Sequence, residues 1–538
     1  MGPEINIDSI LALEKQIEEG LGDIIQLKRT RNSLLNISTR IPPEILGQVF
    51  HWNVIPVGHF GELQNGSYNF LLVCHHWFKV ASGTPDLWAF WGNTLEQWSQ
   101  RYWRSGTCPL DLVLRANNIN TGDVIPFDGP LRDALRDRAA CDSIRSIHLR
   151  GWDLDLLRSI ISSLTLDGEG IRSSSIESIT LEHTGLDISN FLVHYRFPRL
   201  RVLRLLTSGG ISPWDHLKLQ AASLTTLSLG FVRAPDSPTT PQLLSILASY
   251  PDLQDLTLYG AMVPNDADDS STFRVSLHRL KKLELIGDCS HVFRLLHRLE
   301  CPDTMDQVYL FISECTGEGV SEFLEPYLRD RIRRDVRFQG RLGINVSCSP
   351  NSILFEVDNL SKFNILTTLL GHGRPSLSFT ALFGDGLPQG ADEKVCIDLI
   401  ALIPRERVVD FTGGLRSHDM RDLLVSMPGI ENLNLTGPIV SDTFLQLDLL
   451  SHTKLLPSLR HLCLDYFTLQ NYDDWSPLIT YLKHQTSGGQ VISLQFRGKY
   501  PPIPPEVARE IEGLVEDFSS ASPEELATPG PGSEQSSQ

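Results

Sequence analysis

The chain has 538 residues, 41% of them hydrophobic and 21% charged, with a formal net charge of −18. This composition belongs to a folded protein, long enough for several domains or one extended repeat array. The acidic balance argues against a general nucleic-acid or anionic-membrane binder, because phosphate contacts need lysine and arginine. The nine cysteines form no C-x-x-C pair, so neither a zinc ribbon nor a thioredoxin-like motif is indicated. Asp8, Glu14 and Glu18 interrupt any secretory pattern at the N-terminus, and no apolar run reaches the roughly 18 residues of a membrane span. Cytosol, nucleus or both is the expected location.

Residues 5–36 read as one helix, with Ile10, Leu13, Ile17, Ile24, Leu27 and Leu34 on the a and d positions of a heptad. Gly20 and Arg31 occupy the other slots of that seam. Two readings stand: a short coiled coil through which copies self-associate, and a helix packed on its own chain.

The stretch IPPEILGQVFHW, Ile41–Trp52, predicts a helix starting at Pro43. Pro42 precedes a proline and is pushed towards an extended conformation, and Pro43 suits the first helical position. Glu44 lies in the first turn, where the helix dipole favours negative charge. Ile45, Leu46, Val49 and Phe50 recur at helical spacing. A loop with Pro56, Gly58, Gly61 and Gly66 follows, then a second helical stretch, YNFLLVCHHWFKVAS. TPDLW signals a third short helix, with Thr84 as N-cap and Pro85 at the first position. About 50 residues bury only a modest share of their own surface, and these carry more large apolar side chains than so small a core takes up. The surplus points to a partner surface, on this chain or on another.

The segment resembles an F-box. The residues that carry the resemblance are Ile41-Pro42-Pro43-Glu44-Ile45-Leu46, then Val49-Phe50, then Val73-Cys74-His75-His76-Trp77, then Pro85-Asp86-Leu87-Trp88. They cover about a tenth of the chain, and the loop after the first helix is longer than in compact F-boxes. The resemblance implies that residues 41–90 are a small three-helix domain. It would pack on the Skp-type adaptor of a cullin–RING ubiquitin ligase, through apolar helix faces. Carried over by motif position, the adaptor-binding residues are Ile41, Pro42, Pro43, Glu44, Ile45, Leu46, Val49 and Phe50. Val73, Trp77, Leu87 and Trp88 either contact the adaptor or hold the helices together. Cys74 is read as a packing residue.

Residues 91–109 are expected to form a connecting helix. From about residue 110 the template L-x-x-L-x-L recurs. It reads IRSIHL at Ile144–Leu149, IESITL at Ile176–Leu181, LRVLRL at Leu200–Leu205 and LTTLSL at Leu224–Leu229. It continues as LQDLTL at Leu253–Leu258, LKKLEL at Leu280–Leu285, IENLNL at Ile430–Leu435 and LRHLCL at Leu459–Leu464. MDQVYL at Met305–Leu310 and VISLQF at Val491–Phe496 are looser copies, and CPLDLVLR an irregular first strand. From Leu149 to Leu310 the final positions are separated by 32, 24, 24, 29, 27 and 25 residues, close to the roughly 20–29 of leucine-rich repeats. One such repeat cannot bury its own core, but stacked repeats can. Between strands, TPQLLSILASYPDL places Leu243, Leu244 and Leu247 on one helical face. Residues 330–425 are irregular, with shifted copies at RLGINVSC, SILFEVDN and VVDFTG and room for a hairpin insertion near 340–360. The solenoid is expected to span 110–500. Residues 518–538, rich in Ser, Pro, Gly and Glu, read as a disordered tail.

No phosphate-binding, metalloprotease, serine-hydrolase or calcium-loop motif is found. His75 and His76 are adjacent on a helix and do not face each other, so they make no metal pair. The arginine-rich LRDRIRRDVRFQGR, Leu328–Arg341, offers forks suited to an acidic or phosphorylated partner, but it also carries Asp330 and Asp335 and reads better as a solvated helix face followed by a strand. The outward strand positions, His148, Thr180, Arg204, Ser228, Thr257, Glu284, Tyr309, Asn434 and Gln495, are mixed and contain no nucleophile–base pair. No catalytic residue, cofactor or metal is assigned. The fold expected is α/β: a curved leucine-rich-repeat solenoid of parallel strands with helices, preceded by an F-box and an N-terminal helix. The expected function is substrate recognition in a Skp–cullin–F-box ubiquitin ligase, with an unknown substrate protein on the repeats. The alternative is a leucine-rich interaction scaffold without a ligase role.

Overall fold

The computed structural model describes residues 15–16, 23–24, 26–28, 30, 41–54, 68–91, 104–115, 143–150, 175–184, 197–207, 217, 223–231, 238–260, 273–302, 305–313, 327, 329, 342–349, 352–359, 377–382, 397–414, 423–436, 456–465, 472–489, 491–497 and 503–520. They build an α/β protein of short parallel strands alternating with helices. The chain divides into two compact units, with the boundary between Val202 and Leu203.

The first unit holds the helical head and four strands, β1 (Phe90–Trp91), β2 (Leu110–Arg115), β3 (Ile144–Arg150) and β4 (Ser178–Thr184). Each pairs in parallel with the next, and the register shifts between Leu110 and Asp111 at the irregular first copy. β1 was not expected: Trp91 begins no helix but ends this strand, whereas residues 104–105 are helical. Most of the expected connecting helix lies outside the described residues. So does most of the N-terminal helix; of its heptad positions Ile24 and Leu27 are described, helical and exposed.

In the second unit the strands are β5 (Val202–Thr207, beginning at the boundary), β6 (Thr226–Phe231), β7 (Asp255–Tyr259), β8 (Val275–Ser276), β9 (Lys282–Asp288) and β10 (Leu299–Glu300). There follow β11 (Gln307–Ser313), β12 (Leu342–Ser349), β13 (Ser352–Asn359), β14 (Leu377–Leu382) and β15 (Val408–Gly414). The last are β16 (Asn432–Thr436), β17 (His461–Asp465), β18 (Ser493–Arg497) and β19 (Asp517–Ser520). β6, β7, β9 and β11 pair in parallel, as do β15 to β19. Between these runs the order reverses. β14 lies parallel to β11, β13 antiparallel to β14, and β12 antiparallel to β13 and parallel to β15. The chain thus leaves β11, forms the hairpin β12–β13 with Ser349 opposite Ser352, and returns to β11 through β14. RLGINVSC and SILFEVDN are the two arms of that hairpin. Apart from Leu354, their apolar residues alternate at period two, the pattern of an antiparallel ribbon. The sheet also runs to Ser520, past the expected end near 500 and into the segment read as tail; the helix Pro505–Glu512 and β19 complete one more repeat.

The repeat logic is visible in the register. Leu227, Leu256, Leu283 and Val308 align in one buried row and Leu229, Leu258, Leu285 and Leu310 in the next. The leading residues Leu224, Leu253, Leu280 and Met305 are buried too. Four leading residues, Leu200, Leu253, Ile430 and Leu459, are turned inward by the same device. Phe197-Pro-Arg-Leu200, Tyr250-Pro-Asp-Leu253, Met427-Pro-Gly-Ile430 and Leu456-Pro-Ser-Leu459 each close a turn, with the last residue's N–H donating to the first residue's carbonyl at 3.1 to 3.4 Å. Proline presets φ at the second turn position, and the first and fourth side chains are buried. A carbonyl of one copy then accepts two successive N–H groups of the next. Gln254 receives Lys281 at 2.7 Å and Lys282 at 2.9 Å, and Glu431 receives Arg460 at 2.7 Å and His461 at 3.0 Å. The helix Thr240–Leu247 carries a capping box between Thr239 and Gln242, and Leu243, Leu244 and Leu247 are buried as the spacing predicts. Among the described residues no helix is long and apolar enough to cross a membrane.

Candidate partner-binding surface of the helical head

The first helix of the head, α1, spans Pro43–Val54 and opens with the N–H of Leu46 donating to the Pro42 carbonyl at 3.0 Å. The second stretch is not one helix. Tyr68–Leu72 is a 3-10 turn, and α2, His75–Ser82, starts only after a break at Val73 and Cys74. Cys74 is extended, and its sulfur accepts the Trp77 N–H at 3.5 Å. The cysteine read as a packing residue is therefore the N-cap of α2, and the two-residue gap between Cys74 and Trp77 is the cap-to-N3 spacing. Pro85–Trp88 is a 3-10 turn with Thr84 at its N-cap position, but the Thr84 hydroxyl donates back to the Val80 carbonyl at 2.8 Å instead of capping.

Trp88 ties the end of the motif to α2. Its indole N–H donates to the Ala81 carbonyl at 2.8 Å, in a buried setting, and the Arg104 guanidinium lies 4.5 Å from its ring centroid. Gly47 sits in α1 where a Cβ would meet the Thr84 hydroxyl at 3.4 Å, so α1 and the last turn approach closely. The head continues into the sheet through the Asp111 N–H, which donates to the Ala89 carbonyl at 2.9 Å. Beside that junction the Cys108 thiol donates to Asp86 Oδ1 at 3.1 Å. Burial, and then the bond to the Asp86 carboxylate, push its pKa up to about 11.

The residues assigned by motif separate into two sets. Leu46, Phe50, Leu87 and Trp88 form the core with Phe70 and Ala81, and Ile41 and Trp77 pack on it half-buried. Phe50 stacks on Phe70 with centroids 4.5 Å apart and meets Trp77 at 5.1 Å. The other set faces outward. Ile45 is 49% and Val49 44% exposed, against 1% for Leu46 and Phe50 on the same helix. Ile45 and Val49 are four residues apart and so share one face of α1. Pro42, Pro43 and Glu44 are exposed beside them. Val73 is exposed, as are Leu72 and Phe78, two residues the motif did not mark. Neither had a sequence signal, because all the apolar residues of YNFLLVCHHWFKVAS look alike when read as one continuous helix; the break at Cys74 is what turns Leu72 outward.

Two polar surfaces on the strands complete the candidates. The register aligns His148 with Thr180, Ser228 with Thr257, Glu284 and Tyr309, and Asn434 with Cys463 and Gln495, as the repeat template requires. These positions oppose the leucine rows, but Thr180, Ser228, Thr257 and Glu284 are buried, not solvent-facing. Glu284 meets Lys282 Nζ at 3.1 Å and accepts from the Tyr259 hydroxyl at 3.1 Å. Glu182, also buried, lies 3.4 Å from His148 Nε2 and 3.7 Å from Arg150 Nε. Of the arginine-rich segment, only Arg329 is among the described residues. His75 and His76 open α2, and no group of three or more His, Cys, Asp or Glu converges among the described residues. No protein-family model and no curated protein matches this chain.

Proposed function

We propose that the chain is an F-box protein with leucine-rich repeats, the substrate-recognition subunit of a Skp–cullin–F-box ubiquitin ligase acting in the cytoplasm, the nucleus or both. The head binds the Skp-type adaptor and through it the cullin, and the parallel-strand repeats bind the substrate protein. The observation that carries this reading is the division of α1. Leu46 and Phe50 complete the internal core of the head, whereas Ile45 and Val49 stand half-exposed on another face. A helix serving only its own domain has no use for that second apolar row, and an amphipathic helix docking on a partner needs one. The chain carries no bond-making step in this reading; it holds the substrate beside a loaded ubiquitin carrier, a proximity effect.

The test is binding of the full chain to a purified Skp-type adaptor, comparing wild type with Ile45→Asp plus Val49→Asp. Both substitutions are outside the core, so the head stays folded. The expected result is tight binding by wild type and its loss in the double variant. Absence of binding by folded wild type overturns the proposal and leaves an interaction scaffold built on the repeats.

A further inference from the structure

Every described residue of the N-terminal helix, from Lys15 to Thr30, is helical and exposed. Ile24 is 50% and Leu27 70% exposed, although both belong to the apolar heptad seam. Among the described residues, then, the helix is not packed on its own chain. A lone helix in water is marginal, and most helical stability in proteins comes from covering an apolar face. The seam therefore calls for a cover from outside the chain.

Three features identify that cover as the same helix of a second copy, running in parallel. The first is the choice of apolar residues. The a positions hold Ile10, Ile17 and Ile24, and the d positions hold Leu13, Leu27 and Leu34. Isoleucine at a with leucine at d is the combination that favours a parallel, two-stranded coil. The second is charge. Asp23 stands at g and Lys28 at the e position five residues on. In a parallel pair the g residue of one helix meets that e residue of its mate, so symmetry makes two Asp23–Lys28 ion pairs. Within one helix, residues five apart do not face each other, and neither side chain has an ion pair among the described residues. The third is direction. The antiparallel alignment that sets Ile24 against Leu27 places Asp23 against Thr30 and Lys28 against Leu21, and gains no ion pair. Arg31, charged at an a position, costs stability but fixes the register, and its long stem lets the guanidinium reach water. Gly20 at d adds no side chain to its layer, which keeps the association reversible.

We infer that two copies of this chain associate through a parallel, in-register coiled coil of residues 5–36, with Ile24 and Leu27 in the seam and Asp23 meeting the other copy's Lys28. The head begins at Ile41, just beyond the helix, so the parallel arrangement brings both heads to the same end of the coil. One assembly then carries two heads and two repeat arrays, and holds a partner with repeated sites at higher apparent affinity.

The test is sedimentation equilibrium of the full chain at physiological salt, over rising micromolar concentration. The mass should climb from the 60.2 kDa of one chain towards twice that value. Ile24→Asp plus Leu27→Asp, at exposed positions, should hold it at one chain throughout. Asp23→Lys and Lys28→Asp each set like charges together, and each should weaken self-association about tenfold or more. Mixed in equal amounts, these two variants should pair with each other and recover wild-type affinity. Ile45→Asp plus Val49→Asp should leave the dimer intact while abolishing adaptor binding, so failure at the coil and failure at the head are told apart. A wild type that stays at the mass of one chain, a dimer untouched by the seam variant, or charge variants that do not recover on mixing overturns the inference.

Discussion

Phe50→Ala should unfold the helical head while leaving the repeats of the second unit folded. Phe50 is 1% exposed, stacks on Phe70 at 4.5 Å with an interplanar angle of 11°, and meets Trp77 at 5.1 Å. Truncating a buried phenylalanine costs about 3–5 kcal/mol, because the neighbours close only partly over the cavity. A head of about 50 residues has roughly 2.5–7.5 kcal/mol of its own stability at usual values per residue. The substitution therefore removes between about two fifths and all of what holds the head together. A single melting temperature does not report this, since the chain holds more than one cooperative unit. Hydrogen exchange read by mass spectrometry does. Backbone amides of α1 and α2 should exchange about a hundredfold faster or more, while those of β16 to β18 keep their wild-type rates. Ile45→Asp, five residues away on the same helix, should change stability by no more than about 0.5 kcal/mol, because its side chain is half-exposed and lies in the first turn, where an acid is favoured. Wild-type protection of α1 in Phe50→Ala would refute the assignment of Phe50 to the core and, with it, the division of α1 into two faces.

Trp88→Phe removes the bond to the Ala81 carbonyl and should destabilise the head by about 1–3 kcal/mol, read as faster exchange in α2. The Cys108 thiol, with its pKa pushed up to about 11 from an ordinary 9.0, should react with iodoacetamide at pH 8 about a hundredfold more slowly than an ordinary thiol, since only the thiolate attacks. Asp86→Asn should raise that rate, and peptide-resolved labelling unchanged by it would dismiss the carboxylate as a cause. Gly260 has φ +94° and its N–H donates to the Ile286 carbonyl at 2.9 Å. Gly260→Ala should cost about 1–3 kcal/mol through backbone strain, seen as lost protection in β7 and β9; unchanged protection would mean that the turn relaxes freely.

The array was legible in the sequence wherever a leucine leads the strand. At Leu253 or Leu459 the inward turn, the strand and the next helix all agree, and local pattern and global packing point the same way. An apolar residue and a proline stand before the leading position in FPRL, YPDL, MPGI and LPSL, and that turn marks a repeat start more specifically than the leucines alone. The insertion was harder to see, because β14 and the return to β11 depend on which strands pair, and the pairing order of short apolar runs is not written in their periodicity. LSFTAL alternates apolar and polar residues at its start and is flanked by GHGRP and GDG, but it does not fit the L-x-x-L-x-L template, so the repeat pattern passes over it.

The head shows a different limit. Ile45 and Leu46 are neighbours with the same chemistry, yet one is half-exposed and the other buried. Motif position treats them as equivalent, whereas the rotation of about 100° between adjacent helical residues separates them. The same holds on the strands. Glu284 and Asp410 both stand opposite the leucine rows, but the neighbours of Glu284 close over it while a cavity opens beside Asp410. In both places a one-dimensional pattern selects the face, and only the surrounding side chains decide whether that face is core, closed ion pair or open surface. The residues to alter in testing this protein therefore follow from exposure: Ile45 and Val49 on the head. Leu46 and Phe50, though they carry the motif, would report only on folding.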